Sequence, residues 1–161
     1  MQTFSFDKKN LALAKKLIKQ YPDKRQQSAV LPLLDMAQRQ NGGWLSEQTL
    51  EYVADYLGMP YVKIIEIASF YTMFNLKPVG KYHIQVCGTT PCWLNGAEKT
   101  MNDLQKNLKI KCGQVTKDGM FSLAEVECLG ACIRAPVVQV NDKYYENVDD
   151  AEKMIQQLKK N

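Results

Sequence analysis

Residues 82–92 read Tyr82-His-Ile-Gln-Val-Cys-Gly-Thr-Thr-Pro-Cys92, and they indicate the fold class of the second half of the chain. Its first residues alternate between apolar and polar side chains, which predicts a half-buried strand that runs directly into Cys87. A second predicted strand, over 121–127, leads in the same way into Cys128-Leu-Gly-Ala-Cys132. Four of the five cysteines therefore fall into two short loops, and each loop follows a strand.

The segments around these loops predict a mixed layer of helices and strands. Apolar residues recur at helical spacing over 97–108 and again over 151–158, where Asp149 or Asp150 can begin the last helix. Between them, residues 137–145 predict a hairpin whose turn, Asn141-Asp-Lys143, contains residues that accept positive φ. The order strand, helix, strands, helix indicates an α/β domain over 79–161.

The first half of the chain has a different period. Four apolar stripes recur every three to four residues, as expected of helices that bury one face. Pro22, Asn41-Gly-Gly43 and Gly58 predict helix ends, Ser46 an N-cap, and Pro60 a first-turn residue. We therefore predict a helical bundle over 1–78. Its stripes are Leu11/Ala14/Leu17/Ile18, Val30/Leu33/Leu34/Ala37, Leu50/Val53/Ala54/Leu57 and Ile64/Ile67/Ala68/Tyr71.

Composition excludes several classes of protein. The 161 residues are 45% hydrophobic and carry a net charge of +4 that is spread along the chain, which does not favour nucleic-acid binding. No apolar run approaches the roughly 20 residues of a membrane span. The N-terminus lacks the pattern of a secretory signal or a transit peptide, so we expect a reducing compartment, and bacterial cytoplasm over an organelle matrix.

The four loop cysteines predict a metal centre, because bare thiolates that converge in a protein need a cation. His83 is the single histidine, which excludes a Rieske centre and Cys2His2 zinc, and no C-x-x-C motif supports dithiol exchange. Tetrahedral zinc and an iron–sulfur cluster both remain. Small residues such as Gly88 and Gly130 let backbone amides approach sulfur, which favours the cluster. Cys112 lies apart from both pairs and is predicted to be a free thiol.

Three stretches resemble the small [2Fe–2S] subunit of respiratory complex I, the NADH-quinone oxidoreductase. They are His83–Trp93, Glu125–Pro136 and the run that starts at Val138, and the resemblance covers nearly the whole chain. It implies a helical bundle followed by a thioredoxin-like [2Fe–2S] domain. It also implies that Cys87 and Cys92 hold one iron and that Cys128 and Cys132 hold the other. Gly88 departs from a common threonine, which bears on the reduction potential.

The resemblance further implies an electron-transfer role beside a flavoprotein subunit that binds FMN and NADH, together with other peripheral-arm iron–sulfur subunits. This chain shows no nucleotide-binding glycine motif, so it has no complete active site of its own. We expect the helical bundle to dock against the partner, and the chain to reach the membrane only through the complex, on the cytoplasmic side of a bacterial inner membrane or, alternatively, on the mitochondrial matrix side. Two alternatives remain: the equivalent subunit of an NAD-linked hydrogenase or formate dehydrogenase, and a structural zinc module that serves only for interaction.

Overall fold

The computed structural model describes residues 4–160, and the chain divides into two compact units, Met1–Pro78 and Val79–Asn161. Each unit has its own cluster of buried apolar side chains. Within residues 4–160, no helix is long and apolar enough to cross a membrane. The four loop cysteines all belong to the second unit.

Over residues 4–78, the first unit consists of four α-helices and one 3-10 turn. Their ends follow local chemistry: the Ser46 side chain accepts a hydrogen bond from the Thr49 amide at the start of α3, and Gly58 ends that helix with a φ of 60°. Pro60 lies just before α4 instead of within its first turn, so that part of the prediction is wrong by one position. The helices are α1 (Lys8–Ile18), α2 (Val30–Gln40), α3 (Glu47–Leu57) and α4 (Tyr61–Phe70), and the 3-10 turn is Gln26–Ala29.

The predicted apolar stripes supply the core of this unit. Leu33, Leu57 and Ile64 are almost completely inaccessible to solvent. The stripe of α4 is shorter than predicted, because Tyr71 follows the end of the helix and is 40% exposed. The four predicted helices are therefore present, and the stripe of α4 ends one turn earlier than predicted.

The second unit is a four-stranded sheet with helices packed against it. Strand order is β2-β1-β3-β4, in which β1 and β2 are parallel and the other neighbours are antiparallel. The core lies between the sheet and the two long helices, with Ile84, Leu104 and Leu158 among its buried side chains. The elements are β1 (Tyr82–Cys87), α5 (Thr90–Leu94), α6 (Ala97–Leu108), β2 (Phe121–Val126), β3 (Val138–Val140), β4 (Lys143–Tyr145) and α7 (Ala151–Lys159).

The structure corrects two details of the sequence prediction in this unit. Strand β2 ends at Val126, one residue earlier than predicted. The segment before Cys92 is not entirely a loop, since Thr90–Leu94 forms the short helix α5 with Pro91 in its first turn. The predicted hairpin is present, and Asn141 has a positive φ of 53° in its turn.

Candidate metal centre

The first cysteine pair is built into the core. Cys87 is the last residue of β1 and Cys92 lies in α5, and each is only 1% exposed. The Cys87 amide donates a hydrogen bond to the Val137 carbonyl at 3.1 Å, which fixes the end of the strand. The Thr89 hydroxyl lies 3.2 Å from Cys87 Sγ. Folding of the sheet and of α5 therefore positions both sulfurs.

The second pair lies in an exposed loop after β2. Cys128 precedes a bend, and Cys132 begins a 3-10 turn that ends at Arg134. Their Sγ atoms are 3.9 Å apart, and the Gly130 amide donates to Cys128 Sγ at 3.4 Å. The Tyr144 hydroxyl donates to the Leu129 carbonyl at 2.8 Å, so β4 anchors the middle of the loop. Positive φ at Gly130, 77°, permits the chain reversal between the two cysteines.

Interactions between the sulfurs show that the two loops meet. Burial raises the pKa of the Cys87 thiol, but hydrogen bonds from Thr89 and from the Leu129 amide outweigh burial, so that pKa lies below its ordinary value. Burial raises the pKa of Cys92, and the charges of Cys87 and Cys132 raise it further. The hydrogen bond with Cys128, and then its charge, raise the pKa of Cys132. The thiols of Cys92 and Cys132 thus each interact with sulfurs of both loops.

The spacing of the second cysteine pair suits two thiolate ligands of one metal ion. Two thiolates on one tetrahedral metal are about 3.7 Å apart for a metal–sulfur bond near 2.3 Å, and the Cys128 and Cys132 sulfurs, at 3.9 Å, match that spacing. Within residues 4–160, no three His, Cys, Asp or Glu side chains surround one point where a single ion could bind. Two pairs of thiols and nearby N–H and O–H donors are the groups that a [2Fe–2S] cluster requires. Such a cluster supplies one-electron redox chemistry when bound.

Other residues singled out in the sequence lie outside this donor set. Cys112 is exposed in the segment between α6 and β2, and its amide donates to the Gln105 side chain at 3.2 Å. The His83 ring lies 2.8 Å from the Ser122 hydroxyl on the neighbouring strand, and burial lowers its pKa. Trp93, which follows directly after Cys92, is 57% exposed.

The position of the Glu125 side chain beside the first cysteine loop was not predicted from the sequence. Its side chain lines a cavity of about 250 Å³ together with Cys87, Gly88 and Trp93. The parallel register pairs Glu125 with Val86, and this pairing brings a carboxylate to the level of the first cysteine loop. Spacing within either strand does not reveal that pairing, because register is a property of two strands together.

Comparison with known proteins identifies the family of this chain. A family model described as thioredoxin-like [2Fe–2S] ferredoxin matches residues 14–160. The E subunit of the NADH-quinone oxidoreductase of Rickettsia prowazekii (strain Madrid E) is 60% identical over 157 residues, which cover 96% of this chain and 89% of the relative. The mitochondrial NADH dehydrogenase [ubiquinone] flavoprotein 2 of Dictyostelium discoideum is 44% identical over 98% of this chain and 65% of its own length.

A solved structure of similar fold belongs to a different enzyme. The crystal structure of an NAD+-reducing [NiFe]-hydrogenase in the air-oxidized state contains a chain that matches with a TM-score of 0.69 and 25% identity. The match covers 80% of this chain but only 23% of the hydrogenase chain. The thioredoxin-like α/β fold and the [2Fe–2S] cofactor expected from the sequence are thereby confirmed, and the zinc alternative is set aside. The chain belongs to the thioredoxin-like [2Fe–2S] ferredoxin family.

Proposed function

We propose that this chain is the electron-transfer subunit of an NADH:quinone oxidoreductase and that it carries one [2Fe–2S] cluster. Cys87 and Cys92 hold one iron, and Cys128 and Cys132 hold the other. The single observation that carries the proposal is the meeting of two thiol pairs from separate loops, with the Leu129 amide directed at Cys87. The Rickettsia prowazekii relative, similar over most of its length, supports the choice of complex.

The partner in this proposal is the flavoprotein subunit that binds FMN and NADH, with other peripheral-arm iron–sulfur subunits beyond it. The chain has no complete active site of its own and reaches the membrane through the complex, on the cytoplasmic side of a bacterial inner membrane. The helical unit serves as a docking surface. This role is supported by large apolar side chains that α4 and the residues after it expose, since contiguous exposed apolar surface is typical of interfaces. They include Val62 (61% exposed), Phe70 (77%) and Met73 (53%).

A second candidate function is the equivalent subunit of an NAD+-linked hydrogenase, because the fold matches a chain of such an enzyme. Both functions use the same cluster chemistry, and they differ in the enzyme complex of which this chain is a subunit. Purification of the native complex through a tag on this chain separates them. Recovery of FMN and NADH:quinone activity supports the first function, whereas recovery of nickel and hydrogen uptake supports the second.

The ligand assignment is tested by analysis of the purified chain. We expect two irons and two acid-labile sulfides per chain, and a rhombic S = 1/2 electron paramagnetic resonance (EPR) signal after reduction. Cys128→Ser changes or abolishes this signal, whereas Cys112→Ser, the matched control at an exposed thiol, leaves it unchanged. Loss of the signal in Cys112→Ser would show that the ligand set is wrong.

A further inference from the structure

Gly88 follows directly after Cys87, and its lack of a side chain needs a physical explanation. Its φ is not in the left-handed region, so backbone conformation does not require glycine at this position. Space does. A Cβ at residue 88 would collide with Oε1 of Glu125 and lie 2.9 Å from its Cδ. The glycine therefore lets the Glu125 carboxylate lie against the backbone of the first cysteine loop.

The Glu125 carboxylate keeps its charge uncompensated by a cation in this position. Within residues 4–160, it forms no ion pair and no side-chain hydrogen bond. The cavity that it lines is shared with Cys87 and Gly88, and its other lining residues are Val86, Trp93, Ala97, Glu98, Met101 and Asn102. Glu125 is an exposed residue, so water screens part of its charge, and its effect on the nearby sulfurs is small.

We propose that the negative charge of Glu125 lowers the reduction potential of the cluster. The missing side chain of Gly88 leaves the room in which the Glu125 carboxylate can lie beside the first cysteine loop. Each reduction of a [2Fe–2S] centre adds one electron, and a nearby negative charge disfavours that addition. Amide and hydroxyl donors to sulfur act in the opposite direction. Glu125 thus offsets the hydrogen bonds from Thr89 and the Leu129 amide to Cys87. This inference rests on the proposed cluster ligation.

The test is a mediated redox titration of the intact protein, followed by the EPR signal of the reduced cluster. Glu125→Gln removes the charge at nearly constant shape. We expect the equilibrium constant for one-electron reduction to rise about fivefold, an upward shift of about 40 mV at 59 mV per factor of ten. Glu152→Gln is the control, because Glu152 lines a separate depression that contains no cysteine. In this variant we expect the reduction potential of the cluster to stay unchanged.

Gly88→Ala tests the role of the space. Its Cβ meets only the flexible end of the Glu125 side chain, so the carboxylate can swing away and the potential rises as in Glu125→Gln. In the double variant the two shifts do not add, because both remove the same interaction. A full EPR signal with an unchanged potential in Glu125→Gln overturns the inference. Additive shifts in the double variant overturn the link to Gly88.

The same experiment distinguishes failure of this inference from failure of the proposed ligation. If Cys87 and its partners do not bind the cluster, Cys128→Ser leaves the EPR signal of the protein unchanged. If the ligation is correct and Glu125 has no electrostatic role, Cys128→Ser changes or abolishes the signal, while Glu125→Gln keeps both the signal and the original potential.

Discussion

The two cysteine pairs of the proposed site are built differently. Cys87 and Cys92 are each 1% exposed and form part of the hydrophobic core. Cys128 and Cys132 are exposed and depend on a short 3-10 turn and on one hydrogen bond from Tyr144. The core therefore holds the first pair of thiols in place, whereas the second pair lies in a surface loop. Metal binding contributes to the stability of the segments that supply the ligands. We therefore expect a bound cluster to stabilise the exposed second loop more than the buried first loop.

The largest expected effect comes from removing one thiol of each pair. Cys92→Ala and Cys132→Ala both lose the normal EPR signal. Their unfolding in urea differs when each is compared with cluster-free protein of the original sequence. Cys92→Ala lowers the free energy of unfolding by about 1–2 kcal/mol, because it leaves a small cavity in the core. Cys132→Ala changes it by less than about 0.5 kcal/mol, as expected at an exposed position. Equal losses in the two variants would contradict the difference between the pairs.

A smaller effect is expected from Tyr144→Phe, which removes the hydroxyl that donates to the Leu129 carbonyl. A partly exposed hydrogen bond of this kind contributes about 0.5–1 kcal/mol. We expect faster loss of the cluster's visible absorbance in the presence of an iron chelator, since the second loop opens more often. Tyr145→Phe is the matched control: the Tyr145 ring contacts the Lys143 amine, 5.3 Å from the ring centre, and this contact does not need the hydroxyl. Identical rates of cluster loss in the two variants would show that β4 does not hold the loop.

The smallest effect concerns the strand that carries the first pair. Burial lowers the pKa of His83 below its ordinary value of 6.5, so the unfolded chain binds a proton more readily than the folded chain does. Stability is therefore full above pH 6.5 and decreases as the pH falls through that value, with a slope below about 1.4 kcal/mol per pH unit. Urea unfolding at pH 7.5 and 6.0 measures this slope. His83→Gln flattens it, because the chain has no other histidine. A slope that persists in the variant would assign the effect to other groups.

Much of the fold follows from local patterns. The helices over 30–40 and 47–57 were predictable because apolar spacing and end residues such as Ser46 and Gly58 are local features. The strand that ends at Cys87 was predictable from the alternation of apolar and polar side chains along it. Helix α5 was not, because five residues that contain Pro91 carry no helical period. The 3-10 turn over Gln26–Ala29 was missed for the same reason.

The candidate site shows the same division. The four cysteines and the proximity of their loops were predicted, because each pair follows a strand and the sheet brings strand ends together. The interaction of Glu125 with Gly88 was not predicted, although both residues stand beside the cysteine motifs. Glu127 is nearer to Cys128 in sequence than Glu125 is. The sheet register decides which glutamate reaches the first loop, and it selects Glu125.

The four thiols of the proposed site and their spacing follow from the sequence, and the resemblance to a known family favours a [2Fe–2S] cluster over zinc. The helical and strand periods of the two halves were determined in the same way. Only the tertiary structure decided that one thiol pair is buried and the other exposed, and that a carboxylate lies over Gly88. Periodicity is set by neighbouring residues, whereas burial and register arise from contacts between segments that are distant in sequence.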